Sequence, residues 1–216
     1  MKTHIVLLGP PGSGKDTQGK ILSCKLGIPL ISSGEALRTE IENGSEIGLE
    51  FEKLIASGAL VPDEVMFEFF TTILSRYNLS EGFVLNGFPR TLKQAEFLSG
   101  YLKEVDCDIN CAIYINVPDT EIIKRICDRL LCGNCGAVYN AYLNPPKNVS
   151  ICDRCGAPLQ RREDDEEQVV LKRLEVYHNE TAPLIEFYRL AGVLFEVDGV
   201  GDIGSVTQRL LEVIND

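Results

Sequence analysis

Two groups of residues in this 216-residue chain could do chemistry by their types and spacing. The first is Gly9-Pro-Pro-Gly12-Ser13-Gly14-Lys15-Asp16-Thr17, which follows the apolar run His4–Leu8 and precedes a helical pattern. Glycines there let successive backbone N–H groups turn inward around a polyphosphate. The helix N-terminus adds the positive end of its dipole, and Lys15 supplies a mobile cation for the β- and γ-phosphates. A plain glycine-rich strand-to-helix turn is the bland alternative, but spacing, lysine and context all agree on a phosphate loop. The slot after the lysine holds Asp16 rather than Ser or Thr, and a hydroxyl arrives one residue later at Thr17. The second group is Cys132-x2-Cys135-x16-Cys152-x2-Cys155, with Gly136 and Gly156 trailing the two pairs. Four soft thiolates in two tight pairs can surround one tetrahedral Zn²⁺ at about 2.3 Å per bond. No ligand position would stay open, so the metal would be structural. Redox dithiols or disulfides do not account for the doubled spacing with its glycines.

These groups need elements to hold them. Strand-length apolar runs at His4–Leu8, Pro29–Ile31, Phe83–Asn86, Cys111–Val117 and Val193–Val197 alternate with helical spacing, which implies a parallel α/β sheet covered on both faces. Gly27 closes the first helix, and Ser32-Ser33-Gly34-Glu35 has capping-box spacing for the next. Further helices are expected over Ile47–Ala56, from Pro62 to near Arg76, over Asp165–Leu190 with a kink or break at Pro183, and over Val206–Ile214. The acidic run Glu163–Glu167 suits a helix start. Residues 32–62 read as a helical insertion. Residues 129–164 show no helical pattern and few large apolar side chains, so they cannot build their own core; structural zinc supplies on the order of 10 kcal/mol. Cys24, Cys107, Cys111 and Cys127 read as core or incidental thiols.

Composition bounds the function. A formal net charge of −11 gives no general footprint for nucleic acid or anionic membrane, so any phosphate must be held by local devices. No apolar run is long enough to span a bilayer, and the N-terminus carries no signal-peptide pattern. Free thiolates imply a reducing compartment, and a cytoplasmic location is expected.

Phe83-Val-Leu-Asn-Gly-Phe-Pro-Arg-Thr91 resembles the "LDGFPRT" signature of adenylate kinases, and Ile31–Arg38 resembles their "STGDMLR" segment. Gly58–Glu64 is similar to their "GKLVTDE", and Arg161–Asp165 to "TRxDD" ahead of a helix bearing Arg173. The resemblance covers essentially the whole chain, in the form with a four-cysteine lid. It implies a three-layer P-loop fold with a five-stranded parallel sheet, a core of residues 1–31, 62–127 and 166–216, an AMP-binding lobe at 32–61 and a zinc lid at 128–165. It further implies transfer of the γ-phosphoryl group of Mg·ATP to AMP by a monomer, with Lys15, Arg90, Arg125, Arg129, Arg162 and Arg173 around the transferring group. ATP would lie against Gly12, Ser13, Gly14, Lys15, Asp16, Thr17, Arg129, Val138, Tyr139 and Gly201. AMP would lie against Ser33, Arg38, Ala59, Leu60, Val61, Gly87, Phe88, Pro89, Arg90, Gln94, Arg162 and Arg173. Planar guanidinium forks suit phosphate oxygens; Arg161 reads as a solvated surface charge. Glutamine at position 94 favours a purine over UMP or CMP. A kinase of other base or GTP preference, and a non-catalytic nucleotide-binding zinc-ribbon protein, are the alternatives. Most family members carry glycine at the place of Asp16 and aspartate at that of Asn86. Either Asp16 supplies the charge Asn86 lacks, or it merely starts a helix.

Overall fold

The computed structural model describes residues 2–141, 144–162 and 165–216, apart from the side chains of Glu46, Ile47, Glu50 and Ile55. Strands β1 (His4–Leu8), β2 (Leu30–Ser32), β3 (Phe83–Asn86), β4 (Cys111–Asn116) and β8 (Leu194–Asp198) form a parallel sheet in the order β2-β3-β1-β4-β8. Their residues are almost continuously apolar because both faces are covered. One face carries Val6, Leu8, Phe83 and Leu85 against α4 (Asp63–Leu74), α5 (Leu92–Glu104) and α8 (Pro183–Leu190). Ile5, Leu7, Val84 and Ile113 point the other way, into α1 (Lys15–Leu26), α6 (Asp119–Cys127), α7 (Glu167–Val176) and α9 (Ile203–Asn215). Register decides the site. Leu7 of β1 and Ser32 of β2 both lie level with Asn86 of β3. The three loops that follow therefore open at one carboxyl edge, where α/β sheets bind ligands.

Between β2 and α4, α2 (Ser33–Glu42) and α3 (Glu46–Ala56) pair as a helical insertion. Ser32 caps α2 by accepting from the Glu35 amide, as the capping-box spacing predicts. Residues 129–160 hold a separate antiparallel sheet in the order β6-β5-β7, from β5 (Arg129–Cys132), β6 (Val138–Asn140) and β7 (Leu159–Gln160).

Two helix starts differ from the sequence expectation, while the division expected at Pro183 is present. The stretch 165–190 is two helices: α7 begins only at Glu167, and Pro183 opens α8 after a wide turn in which the Ala182 amide donates to the Tyr177 carbonyl. Proline has no N–H to continue the ladder, so it starts a helix instead of bending one. Helix α9 begins at Ile203, three residues earlier than its apolar pattern, because Asp202 caps it by accepting from the Ser205 amide at 3.0 Å. Cys24 is exposed, whereas Cys107 and Cys111 belong to the core. Glu163 and Asp164, central to the acidic run and the "TRxDD" segment, lie outside the described residues.

Candidate functional site

The loop after β1 needs glycine for close approach. Gly12 and Gly14 have φ of 79° and 98°, and a Cβ on Gly12 would sit 2.6 Å from Cγ1 of Ile126. Lys15 Nζ folds back to donate to the carbonyls of Gly9 at 2.5 Å and Pro10 at 2.7 Å. Burial draws its pKa down to about 7; the neighbouring Asp16 opposes that shift, while Arg90 and Arg173 add to it. Neutralising such a lysine only in part keeps it responsive to an arriving polyphosphate.

A cleft of about 340 Å³ runs from this loop across the carboxyl edge of the sheet. Gly12, Ser13, Gly14, Lys15, Asp16, Thr17 and Gly201 line it, as do Val138 and Tyr139 of β6 in the cysteine-bearing sheet. Ser33, Arg38, Ala59, Leu60, Val61, Gly87, Pro89 and Gln94 line it too, from the helical insertion and the loop after β3. Arg90, Arg125, Arg129, Arg162 and Arg173 also reach it. Every residue expected at a nucleotide site thus borders one cleft, with one exception. The side chain of Phe88 turns into the core, 1% exposed, and stacks on Phe70 at 4.0 Å between centroids. A ring that size gains more from burial than from a wet cleft edge.

Several of these side chains are fixed by neighbours that sequence reading did not single out. Gln94 accepts from the Arg90 amide at 2.7 Å and donates to Asp63 at 2.8 Å, so its amide orientation is set by Asp63. Arg90 Nε donates to the Gly87 carbonyl at 2.8 Å, and Ser33 Oγ donates to the same oxygen at 2.6 Å. Arg125 is held by Glu121 and by the Gly199 carbonyl. Buried Asp165 grips Arg129 with both carboxylate oxygens and lies 4.0 Å from Arg173. The two pairings, not the acids themselves, escaped the sequence for one reason: the partners lie 31 and 36 residues apart, with no local pattern to link them. Arg161 is exposed, as a surface charge should be.

The four cysteine sulfurs of Cys132, Cys135, Cys152 and Cys155 lie within 4.8 Å of one another, and all are free thiols. A tetrahedral Zn–S site has S···S edges of about 3.8 Å, so the donor set fits one such ion. The two pairs are built alike. Gly136 and Gly156 adopt φ of 67° and 73°, and their amides donate back to the carbonyls of Cys132 and Cys152 at 3.0 and 2.8 Å. Burial raises the Cys152 thiol, but bonds from Tyr139 Oη and the Arg154 and Cys155 amides outweigh it and bring it down to about 6. The phenol of Tyr139 therefore serves the cysteines: it lies 3.5 Å from Cys152 Sγ and accepts from the Asp153 amide at 2.9 Å.

A phosphate loop at the switch edge of a parallel sheet, facing an arginine-lined cleft, defines a P-loop protein that handles nucleotide phosphates. The profile of the adenylate kinase family matches residues 7–193. The chain is 44% identical to an adenylate kinase of Archaeoglobus fulgidus over 98% of its own length and 97% of the relative's. Adenylate kinases of Acetivibrio thermocellus and Methanothrix thermoacetophila are 43% and 41% identical, with 98% of both chains covered in each case. The chain belongs to the adenylate kinase family.

Proposed function

We propose that the chain catalyses the reversible reaction Mg·ATP + AMP ⇌ 2 ADP. The observation that carries this reading is the single cleft in which the Lys15 loop, the Ser33–Arg38 and Gln94 region and five arginines meet. Phosphoryl transfer asks the protein for in-line positioning and for cations around the moving group, with little covalent help. In this reading Gly12–Thr17 cradle the ATP phosphates, and Val138, Tyr139 and Gly201 border its nucleoside. Arg38 and Arg90 hold the AMP phosphate. Ser33 and Gln94 face its base, against Ala59–Val61 and the Gly87–Pro89 backbone. Lys15, Arg90, Arg125, Arg129, Arg162 and Arg173 share the charge that spreads over the transferring group. The bonds of Arg90 and Arg125 to backbone carbonyls keep their forks oriented before substrate arrives.

Cys132, Cys135, Cys152 and Cys155 would hold a structural Zn²⁺, whose role is to brace the sheet that carries Arg129, Val138 and Tyr139. No helix among the described residues is long and apolar enough to cross a membrane. A cytoplasmic monomer is the reading that fits four reduced thiolates and small-molecule substrates. ADP formation from ATP with AMP, CMP, UMP or GMP in turn, in a coupled assay, tests the proposal. Turnover with AMP alone among the four is the expected result; turnover with another base moves the acceptor assignment, and none at all overturns it.

A further inference from the structure

The charges lining the cleft are unbalanced. Among the described residues, Lys15, Arg38 and five further arginines line it with two carboxylates, Asp16 and Asp202. Asp202 is committed to capping α9, where its oxygens accept from the amide and hydroxyl of Ser205 at 3.0 and 2.6 Å. Asp16 is placed differently. Although it lies in the first turn of α1, no side chain caps that helix at Gly14. Its carboxylate instead crosses to the end of β3, where Oδ1 accepts from Asn86 Nδ2 at 2.6 Å. Asn86 is buried, 3% exposed, at the strand end level with Leu7. Oδ2 of Asp16 makes no hydrogen bond among the described residues, and the residue keeps accessible surface toward the cleft. Desolvation by the surrounding protein would by itself raise the carboxyl pKa. Lys15, Arg38, the Asn86 amide and Arg129 outweigh that effect and hold it below the usual carboxylate range, so the group stays charged.

Physical chemistry assigns this position a partner. In P-loop proteins the side chain after the lysine faces the nucleotide's metal, and an acid at a nearby strand end assists it. Mg²⁺ gives up its waters reluctantly, so a carboxylate serves it well by accepting from those waters. Here the slot after the lysine is itself anionic, and the strand end offers a neutral amide that donates to it. We propose that Asp16 is a positioning residue for the magnesium ion of the Mg·ATP substrate, its free oxygen accepting from the ion's water ligands. Asn86 fixes the direction of that carboxylate. The proposal rests on the phosphotransfer reading above, because the ion enters with ATP.

The test compares ATP binding to the full-length protein by calorimetry with Mg²⁺ present and with the metal chelated. Asp16→Asn keeps the shape and removes the charge. The ratio of the two affinities should fall about tenfold or more, the usual effect of losing an outer-shell partner of a metal. Chelated ATP should bind the variant at least as tightly as the parent, since a repelling charge is gone. Adding Asn86→Asp to Asp16→Asn should restore much of the ratio, because the acid then returns on the other element. A ratio within twofold of the parent's in Asp16→Asn, with or without a lower melting temperature, overturns the proposal and leaves Asp16 a helix-start residue. Strictly additive effects without rescue overturn it as well. The parent's turnover separates the two readings. ADP formed from ATP and AMP with an unchanged affinity ratio rejects only this inference, whereas no ADP rejects the phosphotransfer reading beneath it.

Discussion

The sheet that carries the phosphate loop and the small sheet that carries the cysteines solve the same problem by different physics. Around the first, two layers of helices bury residues such as Phe83, Val84, Leu85 and Ile113 completely. Apolar burial at about 25 cal/mol per Å² is enough to hold that unit without metal. In the second, the described residues that are buried come down to Cys132, Tyr139 and Cys152, two of which are candidate metal ligands. Its core is the four-sulfur cluster with the Tyr139 ring beside it. The difference teaches why most residues lining the cleft sit on or beside rigid strands, while Arg129, Val138 and Tyr139 sit on a unit with little apolar core of its own. Arg129 belongs to that second unit, and its grip on Asp165 at the foot of α7 is a charged tether between the two.

Four measurements would break or sharpen that contrast. Phe83→Ala, in the apolar sheet, should cost about 3–5 kcal/mol of global stability and lower the melting temperature by roughly 10 °C, in a single transition. A cost below about 1 kcal/mol in a denaturant titration would mean the sheet is less decisive than its burial implies. Arg90→Ala should lower kcat/KM about a hundredfold or more while ATP affinity changes less than threefold, since the guanidinium acts on the transferring group. Near-normal turnover would show the arginine to be structural. Cys152→Ser, or chelation strong enough to strip the ion, should act locally. Amide exchange across residues 129–160 should accelerate by orders of magnitude while the amides of β1 and β3 keep their protection. Equal loss in both regions would erase the distinction between them.

The smallest effect concerns a proton. With the Lys15 pKa at about 7 in the free protein, the group is mostly neutral at pH 8. Polyphosphate raises the pKa of a nearby amine, so ATP binding at pH 8 should take up a fraction of a proton. At pH 6 the lysine is already charged and the uptake should vanish. Calorimetry in two buffers of different ionisation enthalpy reads this directly; identical heats at pH 8 would place the lysine's titration elsewhere.

Local pattern determined much of this protein. Gly9–Thr17 between a strand and a helix announces a phosphate loop because glycine spacing and a helix start act within a few residues of each other. The doubled cysteine pairs declare a four-sulfur site for the same reason, and alternating apolar periods imply the parallel sheet. The tertiary structure decided what depends on residues far apart in the chain. Register alone sets Asn86 beside Leu7 and so brings its amide to Asp16, 70 positions away. Packing sends Phe88 into the core while its neighbours Gly87 and Pro89 stay at the cleft. Asp63 orients Gln94, and Asp165 restrains Arg129, across separations at which no periodicity operates. A side chain's type and spacing state what it can do; which partner reaches it follows from how whole elements bury their apolar faces, and that is a property of the folded chain.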